Sequence, residues 1–158
     1  MIWGCISKGK KGPLIVLEYL GGKGGGMNTD HYISQVLKGP VTHFFVEMKH
    51  LQRRPIFMQD RAASHRSKPT LKWFKDNSIP LMDHPPQSPD LNPIEPVWHE
   101  LKRIVRAKTH APSTISELIQ AIKDAWEQLK IKDIDKYIDG MPKRVQAVLD
   151  ADGGHTKY

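Results

Sequence analysis

The chain has 158 residues, which suits one domain with a real hydrophobic core and is short for two. Its 24 Lys and Arg outnumber its 17 Asp and Glu, and the net charge of +7 favours a polyanionic partner such as nucleic acid. The single cysteine, Cys5, excludes an internal disulfide framework, and no apolar run reaches the roughly 20 residues of a membrane-spanning helix. We therefore expect one soluble domain from a reducing compartment, without a signal peptide at its N-terminus.

Two β-prone segments open the chain. Met1–Ser7 and Gly12–Leu20 are short apolar runs, and the basic stretch Lys8–Gly12 between them predicts a hairpin with antiparallel strands. Gly21–Gly26 superficially resembles a phosphate-binding loop. No Gly-Lys-Ser/Thr ending follows it, so a flexible linker is the favoured interpretation.

The middle of the chain alternates helices and strands. Asn28 predicts the N-cap of a helix, Pro55–Asp60 a buried strand that ends in an acid, Ser67–Asn77 a helix, and Ile79–Met82 another short strand. The apolar face of the first helix consists of Tyr32, Ile33, Val36 and Leu37.

Helices dominate the C-terminal half. A proline-rich loop, His84–Pro93, precedes one amphipathic helix, and the capping box Thr114–Glu117 opens a second. Ile134–Ile138 and Pro142–Asp150 complete the order of elements, which predicts an α/β layered domain with a mixed sheet. The apolar faces of the two amphipathic helices are Ile94, Val97, Trp98, Leu101, Ile104 and Val105, then Leu118, Ile119, Ile122, Trp126 and Leu129.

Glu95 has two interpretations. With Asn92 as N-cap and Pro93 at the first helical position, Glu95 stands where a capping box places its acid, so a structural role is well supported locally. A helical projection also puts Glu95 on one stripe with His99, Lys102 and Arg106. A carboxylate followed by bases could hold a cation and grip phosphates, or the stripe could be a solvated charged face.

Asp60 is the natural partner for Glu95 in a metal site. On its own it could simply begin a turn, but 34 residues separate an acid at a strand end from an acid in the first turn of a later helix. Carboxylate oxygens are the ligands that Mg²⁺ prefers, and two such ions support phosphodiester chemistry. That chemistry usually uses three acids.

Four segments carry a resemblance to a known family. "WGCIS" at Trp3–Ser7, "QDRAASH" at Gln59–His65, "SPDLNPIEPVW" at Ser88–Trp98 and the closing "MPKRVQAVLDADGGHTKY" are similar to the catalytic domain of Tc1/mariner-type transposases, DDE superfamily endonucleases. The resemblance runs from end to end. It implies an RNase H-like α/β fold, a mixed sheet flanked by helices, with Asp60 and Glu95 as the second and third catalytic and metal-binding acids.

The chain also departs from the family pattern. Family members carry the first catalytic Asp on a central strand just upstream of the segment like "WGCIS", and here only Met1 and Ile2 precede Trp3. The resemblance therefore implies that this first strand and its Asp, and the helix-turn-helix DNA-binding region further upstream, are absent from these residues. Where the family commonly has Asn-Ala-Pro after the second acid, this chain has Arg61, which could partly neutralise the site or face DNA. His84 stands where the family commonly has Trp.

The resemblance implies metal-dependent DNA cleavage and strand transfer, with Mg²⁺ or Mn²⁺ as cofactor, DNA as partner and a nuclear location. The missing Asp favours a chain that is inactive alone. The alternative is a non-catalytic transposon remnant that binds DNA non-specifically or pairs with a full-length relative or a second copy. Neither a membrane nor a small-molecule substrate is expected.

Several other side chains have competing interpretations. Six bases are the expected phosphate contacts, with a solvated face as the rival: Lys68, Lys72, Lys102, Arg103, Arg106 and Lys108. His65 and His99 could assist proton transfer or contact phosphate, although a lone histidine is more often a polar surface residue or a packing residue. Asp90 is expected to organise its turn through backbone hydrogen bonds. The tryptophans are expected to pack on apolar faces and not to stack on bases: Trp3, Trp73, Trp98 and Trp126.

Overall fold

The structure is a computed structural model that describes residues 1–18, 26–51 and 54–157. Its backbone contacts divide the chain into two compact units, the first formed by Met1–Trp3 and Ile15–Ser88, the second by Gly4–Leu14 and Pro89–Tyr158. The prediction of a single domain stays a prediction.

The elements of the described residues are β1 (Ile2–Ser7), β2 (Lys10–Val16), α1 (Thr29–His31), a π-helical segment (Tyr32–Val41), α2 (Thr42–His50), α3 (Ala63–Arg66), α4 (Lys68–Asp76), a 3₁₀ turn (Pro89–Leu91), α5 (Glu95–Arg106), α6 (Ile115–Gln128), α7 (Ile131–Asp139) and α8 (Met141–Asp150).

The predicted N-terminal hairpin is present, with a tighter turn than expected. β1 pairs with β2, and β2 begins at Lys10, two residues before the predicted start. Gly9 has a φ of 71°, a conformation that glycine adopts without steric cost, so two residues suffice to reverse the chain. The predicted end of the second strand, Tyr19 and Leu20, and the glycines Gly21–Gly25 lie outside the described residues.

The first unit is built around a helix that runs further than its sequence pattern predicts. Asn28 caps it as expected, its Oδ1 accepting a hydrogen bond from the His31 amide at 2.8 Å. The helical path then continues to His50 through a π-helical segment that contains Pro40. Proline donates no backbone hydrogen bond, so the helix lacks one rung at Pro40. The next turn is reinforced, because the Leu37 carbonyl accepts from both the amide and the hydroxyl of Thr42, the latter at 2.8 Å. The core of this unit consists of Leu17, Tyr32, Val36, Leu37, Val41, Phe45, Phe74 and Ile79.

The two strands predicted in the middle of the chain are shorter than expected. Residues 55–60 and 79–82 meet in one parallel bridge, between Phe57 and Leu81. The Phe57 amide donates to the Pro80 carbonyl and the Met82 amide to the Phe57 carbonyl, both at 2.8 Å. Pro55 and Pro80 have no amide hydrogen, so neither can donate a further rung. Within the described residues no backbone ladder joins this pair to the hairpin.

The second unit packs the hairpin tip against the C-terminal helices. Lys11 Nζ donates to the Trp126 carbonyl at 2.5 Å and the Leu129 carbonyl at 3.2 Å, which satisfies acceptors that the end of α6 leaves open. The Gly9 amide donates to Asp135 Oδ1 on α7 at 2.7 Å. The buried apolar residues of this unit are Val97, Leu101, Ala121, Ala125, Trp126, Leu129 and Ile134. Leu118, predicted on the apolar face of α6, is instead 42% exposed.

All four tryptophans pack as predicted. Trp3 and Trp73 contact the core of the first unit. In the second unit Trp98 and Trp126 stack with ring centroids 5.6 Å apart, and the Trp126 indole N–H donates to the Gly12 carbonyl. None of the helices in the described part of the chain has both the length and the apolar character needed to cross a membrane.

Candidate metal and nucleic-acid site

Asp60 ends the extended segment 55–60 of the first unit, and its two carboxylate oxygens differ. Oδ1 accepts a hydrogen bond from the Ala62 amide at 3.0 Å and contacts His65 Nδ1 at 2.6 Å. Oδ2 has no protein partner among the described residues. The side chain of Asp60 is 60% exposed, so a cation or a water molecule can reach the second oxygen.

His65 is held by a closed set of contacts within the first unit. Its side chain is only 16% exposed, and its ring packs against that of Tyr32 with centroids 4.3 Å apart. The Tyr32 hydroxyl donates to Gln59 Oε1 at 2.6 Å, and Gln59 Nε2 donates to the His65 carbonyl at 3.2 Å. Sequence reasoning treated His65 as a lone histidine because it did not predict α3, the short helix that brings His65 back to Asp60.

Arg61 forms its ion pair with Asp83 and not with Asp60. Its guanidinium Nη2 donates to Asp83 Oδ1 at 2.7 Å, which ties the ends of segments 55–60 and 79–82 together. Asp83 is 91% exposed in its side chain and Arg61 is 36% exposed, so this surface ion pair contributes little to stability. The ion pair matters for the charge near Asp60. Asp83 balances the positive charge of Arg61, which would otherwise oppose a cation at the neighbouring Asp60.

Glu95 lies at the start of α5 in the second unit, and the predicted capping box there is wrong. α5 begins at Glu95, Ile94 occupies the N-cap position, and no side chain caps the helix. Asn92 Oδ1 accepts only a long bond, 3.4 Å, from the Ile94 amide. Pro93 and Pro96 both lack an amide hydrogen, and the chain enters the helix through a turn in which the Glu95 amide donates to the Asn92 carbonyl. The Glu95 side chain, exposed and without a protein partner among the described residues, is left available for a ligand.

Asp90 organises its loop and is not a free acid. Its Oδ1 accepts from the Leu91 amide at 3.1 Å and its Oδ2 from the Thr156 hydroxyl at 3.2 Å, while its carbonyl accepts from Arg144 at 3.1 Å. The predicted structural role of Asp90 is confirmed. These contacts also fasten α8 and the C-terminal tail to the loop that precedes Glu95.

Asp60 and Glu95, each within its own unit, present carboxylate oxygens of the kind that a hard divalent cation prefers. Among the described residues no three His, Cys, Asp or Glu side chains are grouped to hold a metal ion, so a protein-only cage is not formed there. Mg²⁺ keeps several waters and is commonly held by one or two carboxylates plus substrate phosphates. Each unit offers one such acid whose oxygens are not all used by partners among the described residues: Asp60 Oδ2 in the first unit and the Glu95 carboxylate in the second.

The six predicted DNA-binding bases fall into two groups. Three have acidic partners: Lys72 with Asp76 at 2.7 Å, Arg103 with Glu100 at 2.5 and 2.9 Å, and Lys108 with Asp124 at 2.9 Å. The hydrogen bond from Arg103 lowers the pKa of Glu100, and that from Lys108 lowers the pKa of Asp124. The others, Lys68, Lys102 and Arg106, are exposed and have no ion pair within the described part of the chain.

Comparisons with known proteins place these observations in a family. The sequence matches the DDE superfamily endonuclease family over residues 36–119, which is more than half of the chain. It is 34% identical to the Tc1 transposase of Caenorhabditis elegans and 32% identical to the Tcb2 transposase of Caenorhabditis briggsae, in each case over 100% of this chain and 54% of the relative. The chain thus spans about half the length of the curated relatives it matches.

Solved structures agree in fold. The Mos1 transposase catalytic domain with raltegravir and Mg matches with a TM-score of 0.73 at 18% identity, over 85% of this chain and 67% of that one. The Mos1 mariner paired end complex with Mn matches with a TM-score of 0.73 at 17% identity, over 85% of this chain and 39% of that one. The predicted RNase H-like fold is confirmed. The chain belongs to the DDE superfamily of endonucleases. The relatives that it resembles over its whole length are Tc1-type transposases.

Proposed function

We propose that this chain is the part of a Tc1/mariner transposase that supplies two of the metal-binding acids for DNA cleavage and strand transfer, Asp60 and Glu95. The observation that carries the proposal is the state of the two carboxylates. In the described part of the chain, one oxygen of Asp60 is held by hydrogen bonds and the other has no partner. Glu95, in a motif that resembles the one carrying the family's third acid, has no side-chain partner there either.

A divalent cation, Mg²⁺ or Mn²⁺, would supply Lewis-acid activation of the attacking hydroxyl group and stabilisation of the leaving oxygen. The protein's own contribution is to present negatively charged oxygens and to keep competing charges away. Arg61 serves the second purpose because Asp83 neutralises it. The relatives whose names mark them as transposases and the Mos1 structures with Mg and Mn support this choice of chemistry.

We also propose that DNA is the partner of the exposed bases Lys68, Lys102 and Arg106, and that the protein acts in the nucleus. Unpaired exposed bases attract phosphates without reading sequence, because each neutralised phosphate releases counterions. These 158 residues alone are expected to bind DNA weakly and non-specifically and not to cut it, since Asp60 and Glu95 provide only two of the three acids that the chemistry commonly uses.

Nicking of supercoiled plasmid tests the proposal. The purified 158-residue chain is compared with a fusion in which the segment of the Tc1 transposase that precedes the matched stretch is joined to Met1. We expect Mn²⁺-dependent nicking by the fusion only, reduced on the order of 100-fold or more by Asp60→Ala or Glu95→Ala, because a lost metal ligand removes several kcal/mol of transition-state stabilisation.

Asp30→Ala, which removes an exposed acid elsewhere in the first unit, serves as the matched control and should nick like the fusion itself. A fusion that nicks equally well with Asp60→Ala would show that Asp60 is not a metal ligand. Strong cutting by the 158 residues alone, lost in Asp60→Ala, would show that two acids suffice.

A further inference from the structure

His65 is the least expected neighbour of the candidate metal site. Oδ1 of Asp60 receives two donors, the Ala62 amide and the His65 ring, whereas Oδ2 receives none among the described residues. An ionised carboxylate can only accept hydrogen bonds, so the hydrogen of this pair sits on His65 Nδ1. Two donors on one oxygen fix the rotation of the carboxylate about its terminal bond, and they thereby fix the direction of the other oxygen.

The donor itself is immobilised. The His65 ring packs on Tyr32, whose side chain is fully buried, and Gln59 links the Tyr32 hydroxyl to the His65 carbonyl. The ring contact with Tyr32 and the hydrogen bond to the His65 carbonyl keep His65 in place when the side chain of Asp60 rotates. The hydrogen bond therefore restrains Asp60 and does not merely accompany it.

We propose that His65 is a positioning residue for the metal site: its Nδ1–H holds Asp60 Oδ1 so that Oδ2 alone faces the divalent cation. This inference rests on the proposed function, because it assumes that Asp60 binds metal. It adds that Asp60 contributes one oxygen, and that the affinity of the site depends on a residue that never touches the ion. Hydrogen-bonded partners of metal ligands commonly contribute 10- to 100-fold to metal affinity.

Mn²⁺ binding to the 158-residue chain, followed by electron paramagnetic resonance of the free ion, tests the inference without any activity assay. His65→Asn keeps a side-chain nitrogen donor at the position of Nδ1, whereas His65→Phe keeps the ring on Tyr32 and removes the donor. We expect His65→Phe to weaken Mn²⁺ binding about 10-fold or more and His65→Asn to stay within about 3-fold of the unaltered chain. His43→Phe, the same change at an exposed site on α2, is the control and should leave binding unchanged.

Asp60→Asn separates this inference from the proposed function. If Asp60→Asn weakens Mn²⁺ binding and His65→Phe does not, the positioning role is wrong and the metal site stands. If Asp60→Asn has no effect, both fall together.

A measurement on the unaltered chain removes any dependence on how His65→Phe folds. Nitrogen chemical shifts of the imidazole distinguish its two tautomers, and we expect His65 to carry its hydrogen on Nδ1. Finding it on Nε2 alone would contradict the contact with Asp60 on which the inference depends.

Discussion

At the scale of single residues, two glycines of the hairpin lie where a larger side chain would not fit. A Cβ atom added to Gly12 would overlap the sulfur of Cys5, so only glycine fits there. Burial raises the pKa of the Cys5 thiol to about 12, and the thiol is therefore a packing group and a poor nucleophile at neutral pH. A Cβ on Gly4 would lie 2.8 Å from Trp98 Cη2 and 3.4 Å from Trp126 Cη2.

Gly4→Ala should therefore destabilise the chain. The stacked indole rings of Trp98 and Trp126 would have to shift, and overpacking of this kind commonly costs about 1 to 3 kcal/mol, more than alanine gains by restricting the unfolded chain. Gly39 is the matched control, because a Cβ there meets nothing within 4 Å and alanine favours helix. Urea unfolding should show a lower free energy of unfolding for Gly4→Ala and an unchanged or higher one for Gly39→Ala. Equal stability of Gly4→Ala and the unaltered chain would contradict the packing described here.

At the scale of elements, α5 carries both kinds of base. Arg103 is bound by Glu100 one turn earlier on the same helix, whereas Lys102 and Arg106 are exposed and have no acidic partner among the described residues. Charge pairing on a helix surface neutralises a base before any phosphate arrives. The helix therefore leaves two of its three candidate phosphate contacts without an acidic partner in the described part of the chain.

The salt dependence of DNA binding distinguishes the free bases from the paired ones. Each phosphate contact contributes about 0.9 to the slope of log affinity against log salt for duplex DNA. Lys102→Ala with Arg106→Ala should flatten the slope by roughly 1.8. The control pair, Lys72→Ala with Arg103→Ala, removes the same formal charge from bases that already have acidic partners and should change the slope by less than half as much. An equal effect of the two double variants would show that internal ion pairs do not decide which bases meet DNA.

The elements also show what the sequence could and could not predict. Asn28 and Thr114 cap helices as predicted, because an N-cap depends on a few neighbouring residues. Ser67, predicted as the first residue of its helix, is instead the N-cap. The helix through Pro40 was missed because proline normally ends a helix. Here Val41 and Phe45, which follow the proline, are buried in the core and support the helix beyond it.

The capping box at Glu95 failed for a related reason. The prediction counted positions from Pro93, but the turn formed by residues 92–95 delays the helix until Glu95 itself. Local capping rules therefore placed the start of the helix too early and assigned to Asn92 a cap that no side chain provides. The strands at 55–60 and 79–82 were predicted in the right places, but their ladder length depends on neighbouring strands that no local pattern reveals.

At the scale of the whole molecule, Asp60 and Glu95 belong to different compact units. The resemblance to the family predicts that both acids bind the catalytic metal ions. The local environments of the two acids differ. In the first unit, hydrogen bonds to Oδ1 hold the side chain of Asp60. In the second unit, Glu95 lies at the start of a helix that no side chain caps.

The most direct test of the central claim is Mn²⁺ binding by calorimetry to the 158-residue chain, to Asp60→Asn and to Glu95→Gln, with Asp30→Asn as the control for the loss of one negative charge. If the two acids share a site, each substitution should weaken the same binding event by about 10-fold or more, since each removes a hard oxygen charge from one cation. Asp30→Asn should leave that event intact. Two independent binding events, one lost in Asp60→Asn and the other in Glu95→Gln with the remaining affinity unchanged, would contradict the account.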